Sequence, residues 1–178
     1  MRRRKGLEDY VPLEQLNEAG ESKTVWTYRG SYYCMPISGR RLRRLKTALL
    51  LLAMLQGGLL FVSGFGNPDG LRRLYVVLPF LIVLFFAGRN LVQAVTFMIT
   101  PDRMTRRQSE NTVIGMALGA KILVIGGALL ALAQIIHLML SRDDNVTDRN
   151  ALAAMLGLML SAVLQGWLLR RHRCQTEE

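Results

Sequence analysis

Of the chain's 13 acidic residues, none falls within residues 47–65, 74–99, 112–140 or 150–169. Those stretches therefore hold no carboxylate pair for acid–base work and no intramembrane acidic partner for a cation. Histidine and cysteine are scarce as well, with two of each. His137 and His172 lie on opposite sides of a membrane, and Cys174 beside His172 makes only two ligands of a zinc site. No glycine-rich loop ends in a phosphate-binding lysine, and no nucleophile has a base nearby. An enzyme is therefore not expected, nor is a cofactor or a metal. Cys34 and Cys174 both fall on the side derived below as cytoplasmic, so reduced thiols and no structural disulfide are expected. Nor does an apolar run follow Arg2–Arg3–Arg4–Lys5 for some forty residues. A cleavable signal is thus not expected, and the first span acts as an uncleaved anchor.

What the chain does have is long apolar runs. Residues 74–99 read LYVVLPFLIVLFFAGRNLVQAVTFMI, enough for about 39 Å of helix against a hydrocarbon core of ~30 Å. Pro79 lies early in this run, where it is tolerated or produces a kink. Pro101 ends it, by disfavouring helical geometry at Thr100. The turn formers of residues 66–70 (GNPDG) make the first two spans antiparallel neighbours. Before the fourth span, Thr147 or Asp148 is available as a helix N-cap. The expected fold is all-α, an integral membrane four-helix bundle spanning residues 47–169. A basic and aromatic cytoplasmic segment, residues 1–46, precedes it, and a cytoplasmic tail, residues 170–178, follows.

Basic residues set the orientation. Seventeen of the 23 lie before the first span, between the second and third, or after the fourth; only four lie in the other two loops. The rule that positive loops stay inside puts both termini in the cytoplasm, with the membrane crossed four times. The net charge of +10 invites a nucleic-acid reading. The cations sit beside apolar spans, however, so anionic lipid headgroups are the simpler partners. Arg40, Arg41, Arg43, Arg44 and Lys46 form a membrane-surface cluster directly before the first span, each basic residue worth about 1 kcal/mol near an anionic surface.

Within the N-terminal segment, residues 12–19 suit a short helix opened by Pro12 and closed by Gly20, or else a disordered arm. Residues 25–35, VWTYRGSYYCM, suit a hairpin turning at Gly30-Ser31, with Tyr28 facing Tyr33 and Trp26 facing Met35. Such a hairpin serves as a docking element or as an interfacial aromatic anchor.

Arg89 and Lys121 are the two cations inside the spans, about 14 to 15 Å from the inner ends of adjacent helices. A charge at the bilayer centre costs ~3 kcal/mol on insertion scales, so something must compensate. Either both side chains snorkel to the inner headgroups, their helices running on into the cytoplasm, or they face each other and bind an anionic solute or lipid headgroup, with Asn90 and Gln93 assisting. Each span also holds one glutamine: Gln56, Gln93, Gln134 and Gln165. Interhelical hydrogen bonding and a polar translocation path are the two roles open to them. Small residues mark packing faces: Gly115, Gly119, Gly127 and Ala131 on the third span, Ala153, Gly157 and Ser161 on the fourth. These faces join the two spans to each other or to a partner. Asn145-Val146-Thr147 fits a glycosylation pattern but sits too close to two spans to be a good acceptor.

Three fragments, Tyr28-Arg29-Gly30 with Tyr32-Tyr33, Val77-Leu78-Pro79-Phe80 and Arg103-Met104-Thr105, carry a resemblance over about Tyr28 to Ile114. With the basic run before the first span, they resemble an uncharacterised family of small multi-pass membrane proteins of Gram-positive gut-type bacteria. The resemblance implies a bacterial plasma membrane and supplies no catalytic residues. The leading functional expectation is a non-enzymatic interaction or accessory protein, self-associating or joined to a larger complex. The alternative is a small carrier or sensor of an anionic solute or lipid headgroup.

Overall fold

A computed structural model describes residues 10–16, 22–65, 70–141, 146–172 and 174–177. Four helices form the bundle: α1 (Gly39–Phe65), α2 (Leu74–Ile99), α4 (Gly115–Ser141) and α5 (Val146–Arg171). Between α2 and α4 the chain makes a short strand β4 (Arg103–Met104), one turn of helix α3 (Arg106–Ser109) and a π-helical turn, Glu110–Ile114. All four long helices are apolar enough to cross a membrane, and the protein is an all-α integral membrane bundle. Each packs on two neighbours in a closed ring, α1 on α2, α2 on α4, α4 on α5 and α5 back on α1.

The helix contacts follow seams of alternating three- and four-residue steps. In α2 the buried positions include Val83, Ala87, Asn90, Ala94 and Phe97; in α1, Leu49, Ala53, Gln56, Leu60 and Ser63. In α5 they include Ala151, Met155, Leu158, Ala162, Gln165 and Leu169. A step averaging 3.5 residues keeps one stripe turned toward its neighbours and gives left-handed, knobs-into-holes packing. The outward positions are equally apolar, among them Phe61, Phe85, Ile125 and Leu160, as lipid contact requires.

The residue ranges of the second span and its stop match the sequence expectation. Thr100 adopts φ −72°, ψ 136° before Pro101, and its hydroxyl donates back to the Thr96 carbonyl at 2.7 Å. The third span starts earlier than expected. Thr105 and Gln108 form a reciprocal capping box, Gln108 N–H to Thr105 Oγ1 at 3.3 Å and Thr105 N–H to Gln108 Oε1 at 2.9 Å. The continuous span therefore runs Arg106–Leu140. Helix α5 begins at Val146, so Thr147 and Asp148 lie in its first turn and neither precedes it as an N-cap.

The N-terminal segment departs most from expectation. Residues Tyr10–Leu16 form a strand, β1, where a helix or arm was expected, and pair with β2 (Ser22–Tyr28); residues 17–21 lie outside the described set. Pro12 is accommodated because β1, among the described residues, has a neighbour on one side only. The hairpin at Gly30-Ser31 is not formed. Strand β3 (Tyr32–Cys34) turns away from β2 and pairs instead with β4 and with β5 (Gln175–Glu177). Tyr33 thus faces Met104 and Thr176 in place of Tyr28. An isolated hairpin is marginal in water, whereas this sheet joins segments already held by the bundle. The segment before α1, the α2–α4 connection and the segment after α5 therefore meet at one end of the bundle.

Candidate functional site

The deepest polar feature is a closed triad of side-chain amides. Gln56 of α1, Asn90 of α2 and Gln165 of α5 are fully buried. Asn90 Nδ2 donates to Gln56 Oε1 at 2.7 Å and to Gln165 Oε1 at 2.8 Å. Gln56 Nε2 donates to the same Gln165 oxygen at 2.8 Å, and Gln165 Nε2 donates to Asn90 Oδ1 at 3.1 Å. The fourth helix contributes space. A Cβ on Gly119 would sit 3.5 Å from Asn90 Oδ1, so α4 approaches the amides at van der Waals distance. Apolar clusters lie on either side of the triad, Leu60, Val83, Leu123 and Leu158 on one and Leu49, Ala94, Met116 and Leu169 on the other. The triad closes the axis of the bundle with satisfied hydrogen bonds, which suits a joint between helices better than a path for solutes.

The sequence candidates are distributed as follows. Asn90 turns into the triad while its neighbour Arg89 is exposed, as a rotation of ~100° per residue requires. Gln93 is buried against Gly115, and its Oε1 has no hydrogen-bond partner among the described residues. Lys121 is exposed and lines two hollows together with Arg170; Arg89 borders neither. The structure therefore groups Lys121 with Arg170, the last but one residue of α5. Gln134 donates to Asp148 at 3.3 Å and Tyr75 meets His137 Nδ1 at 3.3 Å, at the end of the bundle away from the sheet.

Most of the small residues are taken up inside the bundle. Gly115 and Gly119 face α2, Gly127 faces Met159 and Leu158 of α5, and Gly157 faces Leu59 of α1. Ser161 is buried and bonds the Leu158 carbonyl of its own helix, Ala131 is buried, and Ala153 is exposed.

The basic cluster divides. Arg40, Arg41, Arg43 and Arg44 are exposed, but Lys46 is buried against the rest of the protein, so its ammonium is not open to the surroundings as the four guanidinium groups are. Its position, four residues from Leu42 and three from Leu49, puts it on the seam. Its Nζ donates to the Thr100 carbonyl at 2.6 Å, lies 3.6 Å from Asp102 Oδ1 and stands 5.3 Å from the centre of the Phe97 ring. Lys46 thereby ties the start of α1 to the exit of α2.

Beneath the sheet, Tyr28 accepts from the Arg106 N–H at 3.2 Å and donates to the Ser31 carbonyl at 2.9 Å. Its ring packs edge-on against Tyr10 and Tyr32. Both cysteines carry free thiols. Burial pushes the Cys174 thiol up from its ordinary range; a hydrogen bond to Ser109 opposes the rise and the nearness of Cys34 adds to it. A raised thiol holds less thiolate, the reactive form, at any pH below its midpoint. In a Cys34→Ser protein, alkylation of Cys174 by iodoacetamide is expected to be slower at neutral pH than that of a cysteine peptide. Its rate should keep climbing at pH values where the peptide's has levelled off. A pH–rate profile coincident with the peptide's would show that the thiol is not held in this environment.

Compared with protein-family models, with curated proteins and with solved structures, the chain matches none.

Proposed function

We propose that the protein is a non-enzymatic accessory subunit of a bacterial plasma membrane, with both termini cytoplasmic, that presents its strand-capped end to another membrane-associated protein. The single observation behind this reading is the three-stranded sheet, order β4-β3-β5, which staples the N-terminal, middle and C-terminal parts of the chain onto one end of a four-helix platform. Around it stand groups suited to a partner: Trp26, 58% exposed, Tyr32, and the exposed guanidinium groups of Arg40, Arg41, Arg43 and Arg44. Aromatic and arginine side chains are the residue types that most often anchor interfaces. The orientation rests on the basic-residue asymmetry, and the bacterial plasma membrane on the family resemblance.

A photo-reactive phenylalanine analogue at Trp26 or Tyr32 is expected to yield a discrete protein adduct in intact cells. Changing the four arginines to glutamine should strongly reduce that adduct at equal expression. The same probe at lipid-facing Leu132 is expected to label lipid alone. Lipid adducts at all three positions would remove the docking reading.

A second reading, binding of an anionic headgroup, is favoured by one specific observation, the pairing of Lys121 with Arg170 along a common groove.

A further inference from the structure

Two hollows adjoin on the α4–α5 side of the bundle. One, about 430 Å³, lies between the spanning parts of the helices and is walled by Val124, Ile125 and Val163, with Trp167 at its rim. The other, about 360 Å³, lies toward the sheet and includes Tyr33 and Ser109. Lys121, Gly166 and Arg170 belong to both. The floor is low because Gly166 meets Ala120: a Cβ there would lie 3.8 Å from the Ala120 Cβ.

Depth decides what the two cations face. The span Arg106–Leu140 has 35 residues, about 52 Å of helix, while a ~30 Å hydrocarbon core needs only about 20. Counting about twenty residues back from Leu140 ends beside Lys121. The ammonium therefore stands where hydrocarbon gives way to headgroups, and the remaining turns toward Arg106 lie beyond it. Trp167, stacked under Arg171 at 5.3 Å, marks the same level on α5. Among the described residues neither Lys121 nor Arg170 has an acidic partner. A groove that is apolar over its spanning length and carries two cations at its headgroup end matches one amphiphile.

We propose that the α4–α5 groove is a binding site for a single anionic glycerophospholipid, its phosphate held between Lys121 and Arg170 and one acyl chain lying along Val124, Ile125 and Val163. The lipid comes from the surrounding leaflet. This deepens the headgroup reading and is independent of docking at the sheet: the lipid site can fail while the photo-adduct at Trp26 persists, and the reverse.

The test uses the full chain in detergent, with phosphatidylglycerol and phosphatidylcholine of equal chain length as probes and native mass spectrometry as the readout. One phosphatidylglycerol is expected to be retained per chain in preference to phosphatidylcholine. Lys121→Met with Arg170→Met should weaken that retention about thirtyfold, from two contacts of about 1 kcal/mol each. Arg40→Met with Arg41→Met, an equal loss of charge elsewhere, should leave it unchanged. Val163→Trp, which fills the groove and keeps the charge, should also abolish retention; both altered residues at the headgroup end are exposed, so folding is not at stake there. Equal retention of the two lipids, an equal loss in the Arg40/Arg41 control, or unaltered binding by Val163→Trp would each overturn the site. Displacement of the lipid by millimolar inorganic phosphate would overturn it too, by showing an oxyanion site with no use for the acyl chain.

Discussion

Asn90→Leu is expected to destabilise the bundle by about 2–4 kcal/mol, although it removes no apolar volume. Leucine has the nearest apolar shape, so little cavity forms, but three of the four hydrogen bonds of the triad are lost. Interhelical hydrogen bonds in membranes average only about 0.6 kcal/mol, which sets a floor near 2 kcal/mol. Seen from the partners' side, the same loss leaves one buried group on each of Gln56 and Gln165 with no other partner among the described residues, at about 1–3 kcal/mol per unsatisfied group, so the two figures overlap and do not add. Net stabilities of ~5–15 kcal/mol make such a loss easy to detect. Unfolding in mixed micelles, followed by tryptophan fluorescence, measures it.

The triple replacement of Gln56, Asn90 and Gln165 by leucine distinguishes a network from three independent contacts. With every polar partner gone no orphan remains, so the triple variant is expected to be more stable than Asn90→Leu alone. It should also tolerate altered helix register, because a polar residue on a seam specifies alignment at some cost in stability. If the three single losses simply add, the triad is not a cooperative unit.

This triad shows why sequence reading reached the helices but not the site. A helix that faces lipid is apolar all round, so the usual contrast between a core face and a wet face disappears. Length, turn residues and Pro101 were enough to place α2 at residues 74–99, because those cues do not depend on which face is inward. The inward face has to be read from the rarer polar and small residues, and their step of 3.5 is visible once Ala87, Asn90, Ala94 and Phe97 are aligned. Grouping Asn90 with Arg89 as joint ligands ignored the angle between consecutive helical residues. Arg170 is not legible as a neighbour of Lys121 for another reason: only packing of α5 beside α4 brings the two together. The capping box at Thr105–Gln108 was legible as T-x-x-Q and would have moved the start of the third span. The pairing of β3 with β4 and β5 was not, since it joins segments about 70 and 140 residues apart in sequence and depends on the bundle to bring them together.

Lys46 provides the second large effect. Lys46→Met keeps the aliphatic stem and removes only the ammonium, which is buried between α1 and the exit of α2. Three contributions go with it. The hydrogen bond to the Thr100 carbonyl is charge-assisted and worth about 1.5–3 kcal/mol. The positive charge also sits at the C-terminal end of α2, where the helix dipole favours a cation by up to ~2 kcal/mol in partly buried sites. The approach to the Phe97 ring adds up to about 1 kcal/mol. These overlap, so the expected loss is about 2–3 kcal/mol, with the cleavage rate near Pro101–Thr105 under limited proteolysis rising in step. The ion pair itself contributes little, because the Asp102 side chain is 67% exposed and its partner attraction is screened by water. Asp102→Asn should therefore fall within about 0.5–1 kcal/mol of the wild type. Arg43→Met, an equal change of charge three residues away on the exposed face, should lie within about 0.5 kcal/mol. A Lys46→Met protein no less stable than Arg43→Met would mean that Lys46 leaves the seam for the headgroups, and that the joint between α1 and the α2–α4 connection is held by apolar contact alone.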